Sequence, residues 1–198
     1  DPTGEWVVRN GVLMAHAAAA VRVSHPGFRY GLGLFETMLA VAGRVVCAAE
    51  HLRRMRASAR WLGLRGVPTA NAVRRGAREL HAAWRRAGKP AAHVRLLMTR
   101  LSLAPAAIGG ADADWTLTAE PIDPAEVARL RRGAAAGISR WVQPSMHPLA
   151  PHKTLAYLDR WLTTRDARRA GRFDDLRLDE RGDVAEGSLS SVFVVRGG

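Results

Sequence analysis

Two apolar runs flank Asn10-Gly11 in "EWVVRNGVLM", residues 5–14, and the plan returns in "FETMLAVAGRVV", residues 35–46, with Ala42-Gly43 at the turn. Such a pair between apolar segments signals a hairpin, because the tight turns that match strand twist need positive φ at their central residues. The period then changes. Leu52, Met55, Ala59 and Leu62 recur at helical spacing through residues 48–64, and Gly63 and Gly66 follow where a helix stops. Thr69 offers a hydroxyl cap to a second helix reaching Ala87. "AAHVRLLMTR", residues 91–100, and "DWTLTAEPI", residues 114–122, read as strands. The resulting β-β-α-α-β-β order predicts an α+β layer arrangement for a small N-terminal domain, residues 1–119.

Two prolines among acids in "EPIDPAE", residues 120–126, predict a linker. Residues 127–198 then begin a second, α/β domain. It is predicted to hold a short helix, a strand in "GISRWV", a helix from about Thr154 to Ala170, and a β-rich close that turns at Arg181-Gly182 and ends in the strand "SVFVV", residues 191–195. That strand has no helix after it to cover the sheet, so the second domain reads as incomplete. In "MTRLSLAPAAIGG", residues 98–110, a strand runs abruptly into an apolar loop, which leaves open whether residues are missing near Arg100.

Composition narrows the class of function. At 198 residues and 47% apolar content the chain can bury a core, and its formal charge of +12 favours anionic ligands. The arginines are scattered through helical segments such as "AVRRGARELHAAWRRAG", so the charge does not form the basic block of a nucleic-acid reader. A basic nucleic-acid-binding or catalytically silent protein is the non-enzyme alternative. Cys47 is the single cysteine and no Cys/His cluster has zinc spacing, which predicts a reducing compartment and no metal. No leader pattern opens the chain and its apolar runs are too short to span a bilayer, so the expectation is a soluble, cytoplasmic protein without a membrane partner.

One residue choice stands out against this background. The chain has 30 Lys and Arg residues, yet only Lys89 and Lys153 are lysines. Arginine stays protonated, whereas a desolvated lysine can lose its proton and attack a carbonyl carbon. Rarity alone favours reading Lys153 as a surface lysine that drift has not replaced. It lies just before an amphipathic segment, with Glu186 thirty-three positions on (186 − 153). An amine, a carboxylate and an arginine-rich anion site are what pyridoxal 5′-phosphate needs: an imine link, a partner for the ring nitrogen and donors for the phosphate.

Two long stretches carry a resemblance. "FRYGLGLFETMLAVAGRVVCAAEHLRRMRASARWLGL" is similar to the N-terminal signature of the class IV, or fold-type IV, pyridoxal-phosphate enzymes, in which Tyr-Gly-x-Gly-x-Phe-Glu-Thr precedes Glu-His-Leu-x-Arg. "HKTLAYLDRWLTTRDARRAGRFDDLRLDERGDVAEGSLSSVFVV" resembles their central signature: Lys-Thr-Leu-x-Tyr-Leu, an acidic-Gly turn, then Glu-Gly-Ser before an apolar strand. The family includes branched-chain and D-amino-acid aminotransferases and aminodeoxychorismate lyase. It implies two α/β domains with the cofactor between them, and a homodimer.

Carried over residue by residue, the resemblance makes Lys153 the Schiff-base lysine and the base that moves the substrate's α-proton. Glu186 becomes the partner of the pyridine nitrogen, Arg54 the phosphate grip and Tyr157 the partner of the phenolic oxygen. Ser190 and Ser191, with Ser188 beside them, become contacts of cofactor or phosphate or simply end the strand, and Tyr30, Phe35 and Thr37 line the substrate pocket. The lyase branch has a threonine matching Thr37, but aminotransferase-like members also carry Phe-Glu-Thr. The chain departs from the pattern at Leu32, Ala156 and Ser191, where Asp, Asn and Asn are usual, and at "HPG", residues 25–27, where Asp-Arg-Gly is usual. Members also continue past the last strand into a Gly-Ile/Val-Thr-Arg segment whose helix N-terminus cups the phosphate. The implied activity is amino-group transfer between an amino acid and a 2-oxo acid, with release of pyruvate by an aminodeoxychorismate lyase as the alternative.

Overall fold

In the computed structural model, which describes residues 6–89 and 95–197, the chain divides into two compact units. One comprises the residues through Val127 together with His152–Leu155, the other residues 128–151 and those from Ala156 on.

The first unit is built on a six-stranded antiparallel sheet in the order β2-β1-β6-β5-β3-β4. β1 (Trp6–Arg9) and β2 (Val12–Ala15) form the first predicted hairpin, and β3 (Leu34–Val41) and β4 (Arg44–Val45) the second. Asn10, Gly11, Ala42 and Gly43 all have positive φ, as the turn chemistry requires. Between the hairpins lies a short helix with no counterpart in the sequence reading, α1 (Pro26–Tyr30). The His25 ring accepts a bond from Gly27 N–H at its start, and Gly31 closes it in the left-handed region.

α2 (Ala48–Trp61) and α3 (Ala70–Arg86) cover one sheet face. The predicted stripe Leu52, Met55 and Ala59 is buried against Leu34, Met38 and Ala40 of β3 and against Val73, Ala77 and Leu80 of α3. Thr69 caps α3 by accepting from Ala72 N–H at 3.2 Å. β5 (Leu96–Pro105) and β6 (Ala113–Pro121) complete the sheet. The first residues of the strand predicted over 91–100 lie outside the described residues.

β5 runs unbroken through Arg100 and Leu101, with Arg100 opposite Thr37 and Thr118, and Leu101 opposite Glu36 and Leu117. Alternation and register both continue across that step. The expected linker 120–126 is built as the end of β6 and the first turn of α4 (Pro124–Leu130), where Asp123 accepts from Ala125 N–H at 2.8 Å.

The second unit carries a three-stranded sheet, β7 (Ala136–Ile138) parallel to β8 (Asp174–Leu178), with β9 (Val184–Gly187) antiparallel on the other side of β8. α5 (Leu158–Arg169) packs on β8. The helix starts at Leu158, not near Thr154, because the Lys153 carbonyl and the Leu155 N–H are engaged by the start of β3. "GISRWV" pairs only through Ile138, since the Ser139 hydroxyl accepts from Trp141 N–H and turns the chain. The strand predicted at 191–195 does not form: Phe193, Val194 and Val195 are exposed, and among the described residues no neighbouring strand supplies ladder bonds. Among the described residues, no helix is long and apolar enough to cross a membrane.

Candidate active site

The predicted site residues divide between the units, Tyr30, Phe35, Thr37, Arg54 and Lys153 in the first and Tyr157, Glu186, Ser190 and Ser191 in the second.

Strand alternation sorts β3 into two faces. Leu34, Glu36, Met38 and Ala40 point into the helix-covered core, and Phe35 and Thr37 take the opposite face. Along the start of this strand lies the lysine segment. The Lys153 carbonyl accepts from Phe35 N–H at 2.8 Å, the Leu155 N–H donates to the Gly33 carbonyl at 2.9 Å, and Thr154 pairs with Leu34. Lys153 Nζ consequently stands 4.9 Å from the Phe35 ring centroid, with the Arg100 guanidinium 4.1 Å from the same centroid. Both cations gain from the ring's negative faces. Arg100 is also directly opposite Thr37. The sequence reading gave Arg100 no role, because nothing distinguishes one arginine among so many until register places it. Tyr30 closes α1 half exposed, with Arg29 5.0 Å over its ring.

Gly33 makes the close approach possible. Its φ is +146°, and a Cβ there would stand 2.4 Å from the Leu103 carbonyl oxygen and 2.7 Å from Leu155 Cδ1. Gly33→Ala is therefore expected to cost about 2 kcal/mol or more through backbone strain and displacement of the lysine segment. Chemical denaturation measures that cost, and faster exchange of the Leu155 amide locates it.

On the core-facing side, Glu36 is almost wholly buried, which a carboxylate tolerates only when paired. Its partners come from one face of α2: Arg54 Nε donates to Oε1 at 2.7 Å and Nη2 to Oε2 at 2.5 Å, while His51 Nδ1 lies 2.8 Å from Oε2. The carboxylate drives the Arg54 pKa still higher, chiefly through these hydrogen bonds. Half of the Arg54 side chain remains exposed, and it lines a surface pocket of about 440 Å³ with Glu50, His51, Arg53 and Ala57. Arg54 is thus pre-oriented by its bidentate pair while keeping surface for an anion. Glu36 and His51 were missed as site residues. The signal was present, since alternation sets Glu36 between Leu34 and Met38, and His51 and Arg54 are three apart on a helix.

In the second unit, Glu186 on β9 is partly buried and bonded by Arg160 Nη1 at 2.6 Å and Arg177 Nη1 at 3.5 Å. Arg177 is buried and also pairs with Asp159 at 2.9 Å. The Tyr157 hydroxyl donates to the Ser188 carbonyl at 3.1 Å. Beyond Glu186 the chain wraps around one carboxylate. Asp174 accepts from the backbone N–H groups of Ser188, Leu189 and Ser190, from the Ser190 hydroxyl at 2.6 Å, and from the Ser188 hydroxyl. The hydroxyl hydrogens of Ser188 and Ser190 are committed to this wrap, and Ser191 lies just after it in an exposed stretch.

Burial pushes the Asp174 carboxyl up, but the bonds from Ser188, Ser190, Leu189 and Asp175 outweigh it and hold the group below its ordinary value. A depressed folded pKa adds stability that is complete above the unfolded value of about 4 and is lost as pH falls through the folded pKa. Asp174→Asn should therefore cost about 1.5–3 kcal/mol at neutral pH and remove part of the acid-side slope. Urea midpoints of both proteins across the acid range check the two statements together.

A model of the family described as "Amino-transferase class IV" matches residues 33–198. Among solved structures, the chain is similar to a branched-chain aminotransferase from the thermophilic archaeon Thermoproteus uzoniensis with norvaline, at 26% identity and a TM-score of 0.73 over 92% of this chain and 62% of that one. It is similar to the PLP-bound form of a hypothetical aminotransferase from Mycobacterium tuberculosis, at 25% identity and a TM-score of 0.75 over 92% of this chain and 65% of that one. It also shares the fold of a T.th. branched-chain amino acid aminotransferase complexed with N-(5′-phosphopyridoxyl)-L-glutamate, at 24% identity and a TM-score of 0.74, over 95% of this chain and 63% of that one. The chain thus spans less than two thirds of the length of these structures. No curated protein matches it. The family match extends from Gly33, at the foot of β3, through Lys153 and Glu186, and on it the chain belongs to the class IV aminotransferase family.

Proposed function

We propose that this chain carries the lysine-bearing part of a pyridoxal-phosphate-dependent aminotransferase that moves an amino group between an amino acid and a 2-oxo acid. The observation that supports it most is the docking of the Lys153 backbone onto β3, which holds a lysine amine over the Phe35 ring. Unprotonated, a lysine amine is a nucleophile toward a carbonyl carbon.

The residues fit the cofactor by the chemistry of their donors. Lys153 offers the amine, Glu186 a carboxylate for the pyridine nitrogen, Tyr157 a phenol, and Arg54 a guanidinium already fixed by Glu36 and still open to an anion. Bound pyridoxal phosphate supplies an electron sink for bond cleavage at the substrate's Cα. Lys153 Nζ takes the proton from that carbon and returns it on the other side of the exchange. Arg100, opposite Thr37 beside the Phe35 ring, offers a charged partner to a substrate carboxylate, and Phe35 covers one side of the amine. Ser190 and Ser191 act through the shape of the loop after Glu186. A homodimer and a cytoplasmic setting belong to the same reading.

Thr37 favours a second reading, an aminodeoxychorismate lyase releasing pyruvate, because it sets a hydroxyl opposite Arg100 on the Phe35 face. The two are told apart by offering the enzyme an amino acid with no oxo-acid acceptor. Transfer predicts one equivalent of oxo acid and a cofactor left in its amine form. Lysis of aminodeoxychorismate predicts multiple turnovers to pyruvate, and no product from either substrate defeats both readings.

A further inference from the structure

His152 immediately precedes Lys153 and takes no part in the chemistry above. Its ring is nevertheless held from two directions by the last turns of α2. Ser58 Oγ lies 2.9 Å from His152 Nδ1, and the indole of Trp61 stacks on the imidazole with centroids 4.5 Å apart and planes 27° apart. Ser58 is only 4% exposed and follows Met55 on the buried face of α2, so its hydroxyl needs a partner there. That partner is not a nearby carbonyl but a residue 94 positions along the chain.

We propose that His152 is a positioning residue for Lys153, locked to α2 through Ser58 and Trp61 so that the lysine segment keeps its register along β3. The segment grouped with the first unit is only four residues long, His152–Leu155. On the β3 side it is tied by the bonds of Phe35 N–H to the Lys153 carbonyl and of Leu155 N–H to the Gly33 carbonyl. Two such bonds at the end of a strand fray readily. The Ser58–His152–Trp61 clamp adds a third tie on the other side of Lys153, made by a part-buried hydrogen bond and a ring stack. With both flanks fixed, the freedom left to the amine is that of its own side chain. That restriction matters because proton transfer at a substrate carbon tolerates misplacement of about 1 Å poorly.

The inference rests on Lys153 being the reacting amine, yet it is tested without cofactor. Lys89 is the only other lysine and lies exposed after α3, which makes it an internal reference. The protein is labelled briefly with a small acylating reagent over the pH range in which amines titrate. The ratio of Lys153 to Lys89 acylation is then read by peptide mass spectrometry. Ser58→Ala and His152→Ala are each expected to raise the ratio about fivefold, the population shift that loss of one net hydrogen bond supports. His152→Asn, which returns a polar atom to Ser58, should recover most of the native ratio. General loosening would leave the already exposed Lys89 as it is and would not be reversed by His152→Asn. A ratio within about twofold of the parent in Ser58→Ala and His152→Ala, or no recovery in His152→Asn, overturns the proposal. If His152→Ala does not fold, Ser58→Ala decides. A cofactor found on a residue other than Lys153 defeats the functional reading and leaves this ratio standing.

Discussion

Lys153→Arg is expected to fold like the parent and lose at least about a thousandfold in amino-transfer rate, within the range that removal of a catalytic acid–base group produces. The variant separates two roles of one side chain. A guanidinium can keep the cationic contact with Phe35, now made by Nζ at 4.9 Å, so the packing of the segment on β3 should survive. It cannot give up its proton, so the nucleophile and the base are both lost. Lys89→Arg, exposed beyond α3, should stay within about twofold of the parent rate. Thermal melts and single-turnover rates of the two variants, measured side by side, check both statements. Equal losses in both would mean that neither lysine acts at the reacting carbon.

The second large effect belongs to Arg54, and it appears in stability before it appears in activity. Arg54→Met removes the bidentate partner of a carboxylate that is 1% exposed, leaving Glu36 with His51 alone. Breaking a buried pair from one side costs about 3–5 kcal/mol, and the half-exposed position of Arg54 brings the expected loss to about 2–3 kcal/mol. Adding Glu36→Gln to Arg54→Met should restore most of this, because the uncompensated charge is then gone. Cofactor affinity should stay low in the double variant, since the guanidinium offered to an anion is still missing. Denaturation midpoints of the two singles and the double, with cofactor titrations of each, test the coupling. Additive losses of stability would contradict the pairing.

Much of the first unit was legible in the sequence, for physical reasons that can be named. Asn10-Gly11 and Ala42-Gly43 announced turns that only permissive backbones adopt, and the Leu52, Met55, Ala59 stripe announced the buried face of α2. What failed were features set by partners far along the chain. The helix expected from Thr154 starts at Leu158 because β3 takes the backbone groups of residues 153–155, and helical periodicity carries no record of that competition. "SVFVV" has a strand's composition, yet β propensity cannot supply the neighbouring strand that a ladder needs. "TRLSL" looks abrupt in the sequence, yet β5 continues through it to Pro105, with Leu101 and Leu103 buried and Arg100 exposed.

The candidate site shows the same division. Motif resemblance proposes Lys153, Glu186, Arg54 and Tyr157, while register and burial were needed to find the groups that hold them. Glu36 orients Arg54, Arg177 and Arg160 engage Glu186, and Asp174 organises the loop that follows it. None of these is silent in the sequence. Glu36, Asp174 and Arg177 are charged residues on strands whose apolar neighbours predict burial, and a buried charge demands a partner, which for Glu186 includes Arg160 on α5.

The central claim is that Lys153 is the amine that takes up the cofactor. Mixing the protein with pyridoxal phosphate, reducing with borohydride and sequencing the labelled peptide measures this directly. The account predicts a stoichiometric pyridoxyl label on Lys153, abolished in Lys153→Arg and retained in Lys89→Arg. A label on Lys89, or none on either lysine, would contradict it.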